Sequence, residues 1–151
     1  MSIFHAFNIS ASGLTSQRLR MDVAAANIAN AHTTRATINE NGEFQPYRRK
    51  MVAMQSAGHT FKHFLHKAQG GSKQLTGGVK ATHILHDRDP FQLVYEPSHP
   101  DANDDGYVSY PNVDPLKEMV DIMSATRSYE ANVTALNATK DMLLKTLEIG
   151  K

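Results

Sequence analysis

FNISASGLTSQRLRMDVAAANIANA, running from Phe7 to Ala31, sets a large apolar residue at every seventh position: Phe7, Leu14, Met21 and Ile28. Phe4, Ala11 and Ala25 take interleaved positions, and no proline breaks the run. A seven-residue apolar repeat marks an α-helix that packs one seam against a partner helix. The partner pattern stands at the other end of the chain. Met119, Ile122, Thr126, Tyr129, Val133, Leu136, Leu143 and Leu147 follow the same alternating three-and-four spacing. The first helix leaves the start of the chain and the second returns to its end, so the simplest closure is an antiparallel pair. The pattern therefore predicts an α+β fold. Long N- and C-terminal helices pair as an antiparallel coiled coil and carry a small β-rich insert domain between them.

Local chemistry places the helix ends. Ser2 is a good N-cap, and His32-Thr33-Thr34 closes the first helix after about Ala31, which gives a rod of roughly 40 Å at the α-helical rise. Asp114 is suited to accept from free backbone N–H groups, and Pro115 fits the first helical position, where its missing N–H costs nothing. From about Leu116 to Leu147 the second helix spans roughly 48 Å, so the two lengths match. The helical domain is read as 1–35 plus 112–151 and the insert as 36–111. Alternation of period two predicts strands over 47–55 and 79–86, and Phe91-Gln92-Leu93-Val94-Tyr95 reads as a third. Asn39-Glu40-Asn41-Gly42, Gly70-Gly71-Ser72, Gly77-Gly78 and Asp104-Asp105-Gly106 are turn chemistry. Residues 59–74 read as loop with a short helical turn near 61–67.

The first helix is poor in large apolar groups outside its seam. Ala24, Ala25, Ala26 and Ala29 surround it, and an alanine buries far less apolar area than a leucine. A lone hairpin of this kind is marginal, whereas small side chains on several faces admit close neighbours. The helical part is therefore expected to be an assembly element.

Bulk composition excludes more than it identifies. A formal net charge of +1 over 151 residues argues against a protein whose main task is gripping nucleic acid. The absence of cysteine removes disulfide and thiolate chemistry. No apolar run approaches the roughly 18 residues of a membrane span, and MSIFHAFNISASG lacks the layout of a cleavable secretory signal. From Phe44 to His86 there is no acidic residue, while Arg48, Arg49, Lys50, Lys62, Lys67, Lys73 and Lys80 accumulate. Such a face either complements an acidic patch on a neighbouring subunit or, in the alternative reading, makes the chain a freestanding anion-binding module.

Candidate chemical sites are weak. His59, His63 and His66, with His83 and His86, match no zinc spacing, and no metal or other cofactor is expected. Asp101-Ala102-Asn103-Asp104-Asp105-Gly106 opens like a calcium loop, but position twelve is Asn112 rather than a bidentate glutamate, so an Asp- and Asn-rich turn is expected. No phosphate loop and no nucleophile elbow occurs, and no enzyme is expected.

Ala26-Asn27-Ile28-Ala29-Asn30-Ala31, followed by Thr33-Thr34-Arg35, resembles the N-terminal signature of the bacterial flagellar rod, hook and hook-associated proteins. Ala11-Ser12-Gly13-Leu14 supports it upstream. So do Gly106-Tyr107-Val108-Ser109-Tyr110-Pro111-Asn112-Val113-Asp114, Met119-Val120-Asp121 and Ser128-Tyr129-Glu130-Ala131-Asn132 downstream. The short chain is similar to the proximal-rod branch, matching well over roughly 1–55 and 95–151. Two departures stand out: the basic stretch from about 57 to 78 and His32, where the family commonly has a polar residue such as asparagine.

The resemblance implies a structural subunit of the flagellar basal body. It would be exported uncleaved by the flagellar type III apparatus and assembled in the periplasmic rod. Its implied partners are other copies of itself, other rod proteins, and the basal-body membrane ring with its rod adaptor. Phe7, Leu14, Met21, Ile28, Met119, Ile122, Tyr129, Val133, Leu136 and Leu143 are then the expected assembly interface. Asn27 and Asn30 satisfy polar groups where the first helix ends.

Overall fold

The computed structural model describes residues 4–39, 42–57, 65, 68–69 and 77–149. Its elements in chain order are α1 (Phe4–Ala29), β1 (Thr37–Ile38), β2 (Phe44–Gln45), β3 (Lys50–Ser56), β4 (Val79–His86), β5 (Gln92–Tyr95), β6 (Tyr107–Tyr110) and α2 (Pro115–Ile149). Two long terminal helices with small antiparallel strand pairs between them make the class α+β.

The helix ends follow from capping. Asp114 Oδ1 accepts from the backbone N–H groups of Leu116 (2.9 Å) and Lys117 (3.4 Å), with Pro115 as the first helical residue. Glu118 adds a negative charge in the first turn, where the helix dipole favours it. At the other boundary α1 tightens as it ends. The Asn30 N–H is shared between the carbonyls of Ala26 and Asn27 (3.2 Å each), and Ala31 N–H donates to Ile28 at 3.1 Å. The Asn30 amide donates to Ala26 O (2.9 Å) and its oxygen accepts from the Thr33 hydroxyl (3.2 Å), so Asn30 closes the last turn with its own side chain.

The chain divides into two units, each containing part of both helices. The first comprises Met1–Leu19, Ala53–His83 and Ser124–Lys151, and the second Arg20–Val52 and Ile84–Met123. In the first unit Gly13 of α1 lies against Asn132 of α2, so close that a Cβ would stand 2.9 Å from the Asn132 side-chain oxygen. Two serines pin the start of β4 to α1. Ser12 Oγ accepts from Val79 N–H (3.1 Å), and the Ser16 hydroxyl donates to Val79 O (3.4 Å). Gly78 sits there at φ +64°, and any larger residue would drive its Cβ to 2.2 Å from Ser12 Oγ.

In the second unit the helices again run antiparallel, with Arg20 bound to Asp121 (2.9 Å) and Asn27 to Glu118 (2.9 Å). β1 pairs with β2 (Thr37 with Gln45, Ile38 with Phe44), and β5 with β6 from Gln92 opposite Tyr110 to Tyr95 opposite Tyr107. Val108, fully buried, and the cluster of Ala31, Tyr47 and Val113 form its apolar centre. β1, β2 and β6 are additions to the three expected strands, the first two only two residues long each. In β6 the alternation is only four residues long, between Gly106 and Pro111, too short to stand out as a period. β3 pairs with β4, and β3 begins three residues later than expected. The expected helical turn at 61–67 lies mainly outside the described residues, although Gln69 N–H does bond to Leu65 O at 3.0 Å.

The Asp101–Gly106 segment is the turn joining β5 to β6. Asn103 Oδ1 accepts from Tyr107 N–H (2.7 Å), Gly106 N–H donates to Asn103 O (2.9 Å), and Gly106 supplies the positive φ of +80°. Asp101 is held by the Thr34 hydroxyl (2.7 Å) and the Arg35 guanidinium (2.6 Å). Its carboxylate is therefore spent on tying the turn to the segment that follows α1.

Candidate assembly site and its polar anchor

Two of the most buried side chains of the second unit are polar. Asn27 is 1% exposed and Glu118 2%, with Tyr47 and Arg49 also buried. Burying an amide is costly unless each of its hydrogen-bonding positions is filled, and at Asn27 all four are. Its Nδ2 donates to Lys50 O (2.8 Å) and Glu118 Oε2 (2.9 Å). Its Oδ1 accepts from the Tyr47 hydroxyl (2.9 Å) and from Lys50 N–H (3.0 Å). One side chain thus ties α1 to β3 through both backbone groups of Lys50, and to α2 through a carboxylate.

Glu118 turns its other oxygen to Arg49 Nε at 2.6 Å. Arg49 spreads its remaining nitrogens to Asp87 (3.1 Å) and Asp121 (3.8 Å), and Asp121 also takes Arg20. A buried guanidinium is tolerated only when paired and hydrogen-bonded in this way. Burial alone would lower the Arg49 pKa, but the bonds to Glu118 and Asp87 outweigh it and raise it. The Tyr47 phenol is pushed up by burial and by the Glu118 charge, so it stays the neutral donor that Asn27 needs. Asp87 is held below the usual carboxylate range, first by the Asp89 N–H and then by Arg49. Asp101 is held low by the Arg35 and Thr34 bonds.

The shifts set the pH window of stability. A carboxylate with a depressed folded pKa contributes stability that is complete above its unfolded value near 4 and is lost as pH falls through the folded value. Tyr47, shifted up, contributes below an unfolded value near 10 and loses its contribution as pH rises through the folded value. Thermal midpoints followed by circular dichroism should therefore be flat between about pH 5 and pH 9 and fall below about pH 4. Asp87→Asn should shallow that acid limb; an acid limb unchanged by the substitution would remove Asp87 from its cause.

Around this anchor the expected assembly residues occupy a different position from the buried line. Ala24, Asn27, Glu118 and Ala125 are buried, whereas Phe7, Leu14, Met21, Ile28, Asn30, Ile122, Tyr129, Val133, Leu136 and Leu143 are only partly covered. Met119 is 53% exposed. At the start of α2, Leu116, Met119, Val120 and Met123 have the spacing of one helical face, and each exposes more than half its surface. Sequence reasoning singled out Asn27 at the helix end but gave no partners for it. Glu118, Tyr47 and Asp87 carried no signal of their own, because a period of apolar residues says nothing about which charges meet; Arg49, counted in the basic stretch, is paired with Glu118 and Asp87 inside the fold.

Among the described residues no group of three or more His, Asp and Glu side chains is placed to hold a metal ion, and no helix is long and apolar enough to cross a membrane. His59, His63 and His66 lie outside the described residues. The arrangement offers a stiff polar joint between two helices and a ribbon, flanked by apolar surface.

The two ends of the chain match family models. Residues 7–37 match the model described as Flagella basal body rod protein. Residues 104–149 match the model described as Flagellar basal body rod FlgEFG protein C-terminal. The flagellar basal-body rod protein FlgC of Bacillus subtilis (strain 168) is 60% identical over 151 residues, which is 100% of each chain. The FlgC proteins of Escherichia coli O6:H1 and Salmonella typhimurium (strain LT2) are 43% and 42% identical, again over 100% of each chain. With the signature at the end of α1 and the run leading into α2 both falling inside these matches, the chain belongs to the FlgC family of flagellar basal-body rod proteins.

Proposed function

We propose that the chain is a structural subunit of the proximal rod of the flagellar basal body. It polymerises with other copies and other rod proteins into a helical tube that transmits torque and encloses the export channel. The observation that carries this reading is the apolar surface left open along α2: Leu116, Met119, Val120, Met123, Met142 and Leu147 each expose more than half their area. A helix apolar on several sides needs several partners. Head-to-tail contacts that do not close into a ring generate a tube.

In this reading residues 1–35 and 112–151 form the helical wall and 36–111 the insert that meets the next layer. The coiled-coil seam of Phe7, Leu14, Met21, Ile28, Met119, Ile122, Tyr129, Val133, Leu136 and Leu143 is completed between subunits. The chain reaches the periplasmic rod uncleaved through the flagellar type III apparatus and meets the membrane ring through its rod adaptor. No catalytic role is assigned. A chain that crosses the envelope unfolded gains much of its order when neighbours cover its apolar faces, so folding and assembly are coupled.

The direct test is a strain whose only copy carries a C-terminal epitope. Purified basal bodies should contain the tagged chain in fixed stoichiometry, and deletion of the gene should leave non-motile cells without rods. Basal bodies lacking the chain, or motile deletion cells, would defeat the proposal.

A further inference from the structure

Opposite charges are segregated along the chain. Residues 44–86 carry seven basic and no acidic side chains, whereas 87–121 carry nine acidic and two basic. Arg49, Arg20 and Arg35 occupy Glu118, Asp87, Asp121 and Asp101 within the fold. Asp89, Glu96, Asp104 and Asp105 have no ion-pair partner among the described residues, and neither does Lys80 on β4. Asp104 and Asp105 stand in the turn that leads into β6. The register of β5 with β6 sets Val94 and the fully buried Val108 on the inner side and Leu93, Tyr95, Tyr107 and Ser109 on the other.

That outer side is apolar. Leu93 is 66% exposed and Tyr95 64%, and Tyr95 meets Tyr107 edge-on with ring centroids 5.3 Å apart. Asp104 and Asp105 sit at the turn beside Tyr107. An aromatic patch rimmed by uncompensated charge is the composition of a protein-binding surface rather than of a solvated hairpin. The β3–β4 ribbon has the complementary composition: Ile84 is 49% exposed, and Lys80, four residues before it on β4, shares its face.

We propose that the outer face of β5–β6 docks on the β3–β4 ribbon of a second copy of this chain, head to tail, with Asp104 and Asp105 facing Lys80 of the neighbouring copy. This rests on the rod-subunit reading and names one of its contacts. The occupant is a second copy because both halves of the charge pair, each in excess and in unequal parts of one chain, are satisfied together when copies repeat.

Charge exchange in full-length protein tests it. With every copy in the cell changed, Asp104→Lys with Asp105→Lys should reduce the chain recovered in basal bodies by about tenfold or more, since like charges at a contact cost several kcal/mol. Adding Lys80→Glu to the same chain should restore recovery to within about threefold, because every copy then carries both changes. No loss in the first variant, or no recovery in the second, overturns the proposal; a loss without recovery makes the partner a different rod protein.

Cysteine pairing is the second measurement. The chain has no cysteine, so Tyr95→Cys and Ile84→Cys, placed in separate copies and expressed together, start from no thiol background. Mild oxidation of basal bodies should give a species of twice the chain mass only when both variants are present. Basal bodies that hold both variants yet give no such species overturn the contact and leave the rod-subunit reading intact. Absence of the unmodified chain from basal bodies would instead sink that reading.

Discussion

Asn27→Asp is expected to unfold the second unit or bring it close to unfolding, although the side chain keeps its size and shape. The two bonds accepted by Oδ1, from Tyr47 and Lys50 N–H, survive the change. The two donated by Nδ2, to Lys50 O and Glu118 Oε2, become contacts between acceptors, one of them a carboxylate that is itself 2% exposed. Each buried group left unsatisfied costs about 1–3 kcal/mol, and a second buried negative charge beside Glu118 adds to that. A total near 4 kcal/mol or more is a large part of what a small domain has to lose. The thermal midpoint at pH 7 should fall by about 10 °C or more. A midpoint within about 2 °C of the parent would show that the network contributes little. Partial recovery at pH 4–5, where the introduced carboxyl takes up a proton, would identify charge as the larger part of the loss.

Leu136→Asp should separate assembly from folding. Leu136 lies on α2 in the first unit and is only partly covered within the chain, so the isolated protein should melt within a few degrees of the parent. Between subunits the same carboxylate would be buried against apolar neighbours without a partner, which costs far more than one exposed charge. Cells carrying only this variant should lack rods and be non-motile. Motile cells with normal rods would remove Leu136 from the interface. A monomer that no longer folds would instead place it in the chain's own core.

What was legible in the sequence was what depends on neighbours along the chain. Asp114 and Pro115 announce the start of α2 because capping is settled within four residues, and the cap forms as expected. Asn30 at the end of α1 is similarly local, bonding to residues four before and three after it. The turn after Asp101 was readable from its Asp, Asn and Gly content. The buried contact line was not readable. An apolar period points to Leu14, Met21 and Met119, while the side chains most enclosed on the two helices are Asn27, Glu118, Ser16, Ala24 and Ala125. Polar groups become stable interior residues only through partners brought from distant segments, and hydrophobic periodicity carries no record of those partners.

The anchor's partners are far apart in sequence, and this bears on when the chain can fold. Lys50 is 23 residues from Asn27, but Glu118 is 91 residues from it and 69 from Arg49. Closing the longer loop costs about 1 kcal/mol more in chain entropy than closing the shorter, and nothing at Asn27 is rewarded in full until both are closed. A chain lacking its last third cannot complete the joint, however long it waits. High contact order thus acts as a timer: the chain stays uncommitted while it is being made, and commits once the residues around Glu118 have arrived.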